Sequence, residues 1–440
     1  MISLLLNLAI TAMIVRSGTT IRDAWAMTAQ RKIVYLLQPT GDDSWTPMLL
    51  AYRQKIEAPG SDLYKVFFID HVKFQYPPSS LMVFNLFPSS MTELVDGEIS
   101  ERLRKWLSWM SRAAVMLTVI TSAVILKIGL DRRTEGRTAS PAQTAVVIML
   151  FLFLCLTFYP LIMGYRLGQI QVFLNSLIAL ALLFRMLGWN ALAGACVGVC
   201  CLIKPQYGAV LLWSLLRREW RVTMGLGGVL LAGLTVSVAH FGLQDHLRYL
   251  DVLQVISHQG EAYLPNQSVN GLVNRLMGNG DSLHFSPTDF APHNPTVYAI
   301  TMISSVAILF LALWHRSSGQ PRDCGPIDLA VVLAACTIAS PVAWQHHYGA
   351  FVPIFAISLP GLIYARPLGW ATAPLLAFTY IAMANFVQWE LFLRNPLLGV
   401  VGSHLFFGSI IFFILLLALR AGWWNGQASR VCRSEAHTAS

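Results

Sequence analysis

The feature that most restricts this chain is a series of apolar blocks without alternation. From Thr144 to Tyr159 there is no charged side chain at all. Strands of a membrane barrel alternate apolar and polar residues over about ten positions, and these blocks do not. A helix crossing a bilayer needs about 20 mostly apolar residues, and roughly ten to twelve such stretches would use half or more of the chain. Charged residues make up 12% of the 440 positions and mean hydropathy is +0.57. A soluble domain is about 25% charged. A soluble enzyme, a disordered chain and a nucleic-acid-binding domain are excluded. The expected fold is an all-α polytopic membrane protein with about 10–12 transmembrane helices.

The net charge is +9. Cytoplasmic loops of membrane proteins collect Lys and Arg, which explains the excess without an anionic macromolecule. Nucleic acid is not an expected partner, whereas membrane lipids are. Seven cysteines, at 155, 196, 200, 201, 324, 336 and 432, lie mostly in apolar runs. They read as small hydrophobes, with no disulfide framework and no metal-site spacing.

Met1 to Val15 reads as a first anchor helix, because no clean small-residue cleavage site follows it. Residues 17–104 form the least membrane-like stretch and hold ten of the 22 acidic residues. Within it, Tyr76-Pro77-Pro78 opens a short apolar run predicted as a helix lying in the interface. Further spans are expected near 106–130, 143–163, 170–187, 222–241, 295–315, 327–344, 349–365, 368–387 and 398–419, and their interiors hold essentially no acid. The block 191–216 is interrupted by Lys204-Pro205-Gln206, so broken helices are expected there. Irregular backbone at membrane depth is tolerated only against protein or a water-filled cavity, which predicts a cavity near Lys204. A single domain over 1–420 is expected, followed by a disordered cytoplasmic tail, 421–440.

With Arg132, Arg133 and Arg137 inside, and Arg217, Arg218 and Arg221 inside too, both termini are cytoplasmic. The loops 17–104 and 243–294 and the His346-His347 turn then face outwards. This is the side expected to carry the site.

Five groups of residues carry potential chemistry. Asp42-Asp43 places two carboxylates side by side, so that one has a raised pKa suited to a general base. Gly-Asp-Asp is equally an ordinary solvated turn. Lys204 sits in an apolar block, where a lysine is functional unless it snorkels to the interface. His346-His347 suits phosphate contact better than metal binding, since adjacent imidazoles are badly spaced on a helix; otherwise the pair is interfacial, beside Trp344. The turn from Gly164 to Gln169, with Arg166, faces the same side, as does Asn266-Gln267-Ser268 with Arg275. Asn266-Gln267-Ser268 also fits an N-glycosylation sequon.

Taken in order, these pieces resemble glycosyltransferase family 87, polytopic enzymes of the GT-C class that include mycobacterial mannosyltransferases. The likeness runs through Asp42-Asp43, Gly60 to Tyr64, Phe74-Gln75-Tyr76-Pro77-Pro78, Gly168-Gln169, Ile203 to Gln206, Asn266-Gln267-Ser268, and Ser340-Pro341 through Trp344 to His346-His347. It covers about residues 1–420. It departs at Ser44, which separates the acidic pair from Trp45, and at Gln171, where the family tends to have Asn.

The resemblance implies a GT-C-like bundle in the plasma membrane, with the active site on the outer face. It implies a cell-envelope transferase that moves a sugar, mannose favoured, from a polyprenyl-phosphate donor to a lipid or glycan acceptor by inverting displacement. The catalytic base falls on Asp43, with Asp42 the close second. His346, His347, Lys204, Arg166 and Arg275 are candidates for the donor phosphate. Tyr76, Gln169, Gln206, Asn266, Gln267 and Trp344 are candidates for substrate contact. No cofactor and no metal is implied, because a lipid phosphate leaves already charged. The alternative reading is a lipid or small-solute transporter or flippase using the same cavity without bond chemistry. A scaffold subunit of an envelope complex is a third.

Overall fold

The computed structural model describes residues 29–132, 140–314, 325–385 and 398–424. The expected first anchor, Arg133, Arg137, Cys324, Cys432 and the tail beyond 424 lie outside the described residues. The chain is almost entirely helical. Its one sheet among the described residues is a two-stranded hairpin pairing Leu94–Val95 with Glu98–Ile99.

The segment expected to face outwards comes first, with helices α1 (Ala29–Leu37), α2 (Trp45–Glu57) and α3 (Lys65–Phe68), then a 3-10 helix over Pro78–Leu86. The bundle follows with α4 (Glu101–Asp131), α5 (Pro141–Leu156), α6 (Tyr159–Leu167), α7 (Gln171–Met186), α8 (Asn190–Ile203), α9 (Ala209–Leu216) and α10 (Trp220–Phe241). The second outer segment holds α11 (Leu243–Gln259) and α12 (Val269–Leu276). The chain returns through α13 (Pro295–Leu313), α14 (Gly325–Ile338), α15 (Phe351–Ala365), α16 (Thr372–Ala384) and α17 (His404–Trp424). The helix α17 carries on through the first four positions of the expected tail.

Local chemistry sets the boundaries that matter. Ser140 and Gln143 form a capping box at the head of α5, with Pro141 in the first turn. Helix α8 stops at Lys204 because Pro205 follows; the residue before a proline is pushed out of the helical region, and Lys204 is extended at φ −134°, ψ 96°. The anticipated break in 191–216 is therefore present, with a 3-10 turn over Pro205–Gly208 between α8 and α9.

Five helical stretches are long and apolar enough to cross a bilayer: Glu101–Asp131, Trp220–Phe241, Pro295–Leu313, Gln345–Ala365 and Val400–Ala421. The pair α5 and α6, bent by 45°, makes a sixth. Four shorter apolar helices, of 10–17 residues, complete the set among the described residues. A helix of 14 residues, such as α8, rises about 21 Å against a hydrocarbon layer of about 30 Å. Leu231 on α10 and Ile303 and Val306 on α13 are exposed, as lipid-facing side chains should be.

Asp328 lies buried in the first turn of α14, at the end of the expected span 327–344. Its carboxylate binds Arg217 at 2.6 Å and Arg420 at 3.0 Å, and accepts from the Trp213 indole at 2.9 Å. A buried charge is tolerated only when paired in this way. The cluster ties α9, α14 and α17 together at the basic-loop end of the bundle.

Two apolar cores result. The larger fills the bundle around α7, α14, α15 and α17. The smaller lies under the first outer segment, where Trp45, Leu49, Tyr64, Phe74, Leu81 and Phe84 pack against Leu103, Leu107, Phe241 and Tyr249. The polar segment from the first loop is thus a folded cap with its own core. Its Tyr76-Pro77-Pro78 run opens a 3-10 helix, not an α-helix, that buries Leu81 and Phe84 and exposes Leu86.

Candidate active site

The cap and the bundle enclose one cavity of about 1550 Å³. Its wall begins at Gly41-Asp42-Asp43. This strand-like stretch is hydrogen-bonded along the end of α6: Gly41 N–H to Arg166 O at 2.9 Å, Asp43 N–H to Leu167 O at 3.0 Å and Ser44 N–H to Gly168 O at 3.3 Å. Gly168 is left-handed at φ +75°, and a Cβ there would lie 2.0 Å from the Gly41 carbonyl oxygen. Only glycine permits both the turn and the approach. Gly168→Ala is expected to destabilise the protein by at least about 1–2 kcal/mol and to loosen Asp43. A fall in thermal midpoint together with reduced turnover would show it; an unchanged midpoint would contradict this account of the turn.

Asp42 and Asp43 have different surroundings. Asp42 is partly exposed, bound by Arg104 at 3.1 Å and by the Thr46 hydroxyl at 3.0 Å. Asp43 accepts a short hydrogen bond from the Gln169 amide. Asp43 is exposed to the cavity, yet the protein crowded around its carboxyl desolvates it and pushes it above the usual carboxylate range; the Gln169 bond opposes this and the neighbouring Asp42 charge adds to it. Ser44, which the sequence comparison set aside as a departure, is the hub of this corner. Its hydroxyl donates to Gln169 Oε1 at 2.8 Å, accepts from Ile170 N–H at 3.2 Å and lies 3.0 Å from the Tyr76 hydroxyl. Burial holds the Tyr76 phenol at about 12, so it stays neutral.

The second polar group on this cavity comes from the broken helix. Lys204 is buried, and its Nζ donates to Gln171 Oε1 at 2.8 Å and lies 2.6 Å from His347 Nε2. The other side of Gln171 donates to Asn175 at 2.9 Å. Gln171, the second departure from the family pattern, is thus the group that holds Lys204. His346 and His347 are buried at the head of the span Gln345–Ala365, in a 3-10 turn. Among the described residues, His346 Nε2 and His347 Nδ1 have no hydrogen-bond partner. Buried imidazole nitrogens left in this state mark a place for a ligand oxygen.

Of the remaining candidates, Arg166, Gln206 and Trp344 also line the cavity. The Arg166 guanidinium lies 4.3 Å above the Tyr35 ring. Three do not line it. Arg275 is buried and donates to the carbonyls of Ala262, Tyr263 and Asn266 and to Ser403. Asn266 donates to Glu261 O and Pro341 O and accepts from Ala343 N–H. Gln267 bonds Leu264 O, Gly402 O and Phe406 N–H. Asn266 fastens the segment around it to the 341–345 turn, and Gln267 and Arg275 fasten that segment to residues 402–406. Asn266 is fully buried, so the sequon is closed to modification in the folded protein.

Sequence reasoning passed over Lys73, Tyr159, Tyr263 and Phe285, which also line the cavity. No spacing marks them, because they come from four separate segments. The apolar part of the wall, with Leu250 and Leu253 on α11 and Met302 and Leu309 on α13, lies between helices. No group of three or more His, Cys, Asp or Glu among the described residues is placed to hold a metal ion.

Comparison with known proteins agrees with this architecture. Glycosyltransferase family 87 matches over residues 74–341. A protein of Mycobacterium tuberculosis named polyprenol-phosphate-mannose-dependent alpha-(1-2)-phosphatidylinositol pentamannoside mannosyltransferase is 28% identical over 320 residues, 70% of this chain and 67% of that one. A Mycolicibacterium smegmatis protein named polyprenol-phosphate-mannose-dependent alpha-(1-2)-phosphatidylinositol mannoside mannosyltransferase is 24% identical over 318 residues, 68% of this chain and 64% of that one. The chain therefore spans about two thirds of the length of these relatives. With its family matched across most of the described cavity wall, this multi-pass membrane protein belongs to glycosyltransferase family 87.

Proposed function

We propose that this chain transfers a mannosyl group from a polyprenyl-phosphate donor to a glycolipid acceptor, with Asp43 as general base. One observation carries the reading: a carboxylate held by Gln169 on the cavity wall, with a raised pKa, shares that cavity with a buried lysine and two imidazoles that have unpartnered nitrogens. The relatives' names support polyprenol-phosphate-mannose as the donor, and they point to a phosphatidylinositol mannoside as the type of acceptor. An acceptor hydroxyl gives its proton to Asp43 as its oxygen bonds to the anomeric carbon. The bond from that carbon to the phosphate oxygen breaks, and the configuration inverts. Charge gathers on the departing phosphate, where Lys204, His346 and His347 stabilise it. Arg166 stands on the same wall as a further cation. The lipid tail lies in the apolar stretch between α11 and α13. The arginine cluster at the opposite end of the bundle supports a cytoplasmic placement for that end and an outward-facing site.

A transporter would use the same apolar and cationic lining, but it has no need of a base held by Gln169 on the cavity wall. The test is sugar transfer by purified protein in liposomes, supplied with radiolabelled polyprenyl-phosphate mannose and a membrane-lipid extract. Labelled glycolipid is the expected product; binding of donor without any transfer would return the assignment to a transporter.

The same assay yields a pH dependence. A base must be ionised to act, and the Asp43 carboxyl lies above its ordinary value of about 3.9. Activity is therefore expected to fall, as pH is lowered, at a higher pH than an exposed aspartate would give. The acid limb should vanish from the residual activity of Asp43→Asn. A limb that survives unchanged would assign it to another group.

A further inference from the structure

Resting on the transferase reading above, we propose that Tyr263, Phe285 and Trp344 form a stacking platform for a pyranose ring of the acceptor glycan. The three rings meet edge to face or tilted, with centroids 5.8 Å apart for Tyr263 and Phe285, 6.0 Å for Phe285 and Trp344, and 6.4 Å for Tyr263 and Trp344. All three line the cavity, and none belongs to either apolar core. Phe285 is 44% exposed. A cluster of large apolar rings beside polar groups in a cavity is the usual lining of a small-molecule site. An aromatic face is electron-rich, and the C–H face of a hexopyranose is its natural complement.

The platform is built to stay still. Asn266 and Trp344 form a β-bridge, Gln345 N–H donates to Pro265 O at 2.9 Å, and Gln267 N–H donates to Ala343 O at 2.8 Å. Arg275 anchors the carbonyls at and around Tyr263. The residues that the sequence motif pointed to thus hold the backbone on which two of the rings stand. The third ring is pinned from the cap. Lys73 Nζ lies 4.8 Å from the Phe285 centroid and 2.9 Å from Glu261 Oε2.

Lys73 also gives the platform its assignment to the acceptor. It lies three residues before Tyr76, whose hydroxyl reaches Ser44 beside Asp43, and Gln75 between them lines the same wall. The chain that pins the platform at Lys73 therefore runs along the cavity wall to the corner where the attacking hydroxyl loses its proton. The donor sugar is tethered instead through its phosphate. A half-exposed ring on an outer loop suits a glycan that extends out of the cavity better than a single tethered sugar.

The experiment uses the full chain in liposomes with polyprenyl-phosphate mannose as donor and octyl α-mannoside as acceptor. Phe285→Ala and Trp344→Ala are each expected to raise the acceptor KM roughly tenfold, the factor that corresponds to about 1.4 kcal/mol. The kcat and the donor KM should stay within about twofold, and Phe285→Tyr should restore the acceptor KM. Phe285 stands on an exposed loop, so its variant keeps the test alive if Trp344→Ala does not fold. Transfer by the wild type with an unchanged acceptor KM in Phe285→Ala overturns the platform alone. A rise in the donor KM instead overturns the assignment to the acceptor. Absence of transfer by the wild type counts against the transferase reading, and the platform falls with it.

Discussion

Asp43→Asn is expected to lower sugar transfer by about 10²–10⁴-fold, the range for removing a positioned general base. The substitution keeps the shape of the side chain, and the Gln169 amide still finds an oxygen to bond. Donor binding and thermal midpoint should therefore stay near wild type while turnover collapses. Asp42→Asn is the internal control. That carboxylate is already engaged by Arg104 and Thr46 and is partly exposed, so its loss is expected to cost less than about tenfold, far below the effect of losing a base. Single-turnover assays on both variants separate the two. Collapse in Asp42→Asn with retention in Asp43→Asn would move the base by one residue and leave the class standing.

Lys204→Met is expected to cost about 10²–10³-fold in kcat, the usual effect of deleting one group that stabilises charge developing in the transition state. Two effects combine. The departing phosphate loses a cation, and His347 and Gln171 lose the donor that orients them. Lys204→Arg keeps the charge but cannot reproduce a point contact to both partners in a closed space, so only partial recovery is expected. Measurement of kcat against donor KM decides the case. A variant that raises only the donor KM would show that Lys204 binds the ground state and does not act in the transition state.

Comparing sequence and structure residue by residue shows where reading a chain stops. Lys204-Pro205 was legible because proline forbids the preceding residue its helical conformation, and a lysine in an apolar block demands a polar neighbour. The two clauses together predict a break beside a cavity, and both features are present. Asp43 over Asp42 rested on family resemblance. In the structure Asp42 is taken up by Arg104 and Thr46 while Asp43 accepts from Gln169 and is exposed to the cavity, a difference that no sequence pattern records. Ser44 and Gln171 looked like defects in a motif and are working members of hydrogen-bond networks. Asn266, Gln267 and Arg275 looked like ligand contacts because polar residues close together suggest a site. They are instead consumed in holding a turn, since buried backbone carbonyls need donors as much as any substrate does.

The sequence by itself determined the class of fold, the membrane as solvent, the break at Lys204 and the family. All of these follow from local properties: unbroken hydropathy, a proline's constraint on its neighbour, and motif order along one chain. Only the tertiary structure decided that residues 29–104 are a folded cap and that Asp328 is neutralised by Arg217 and Arg420. It alone brought Lys73, Tyr263, Phe285 and Trp344 onto one wall. The reason is physical. Which polar groups remain available for chemistry depends on which others have been paired, and pairing is settled between segments hundreds of residues apart, where sequence distance carries no information.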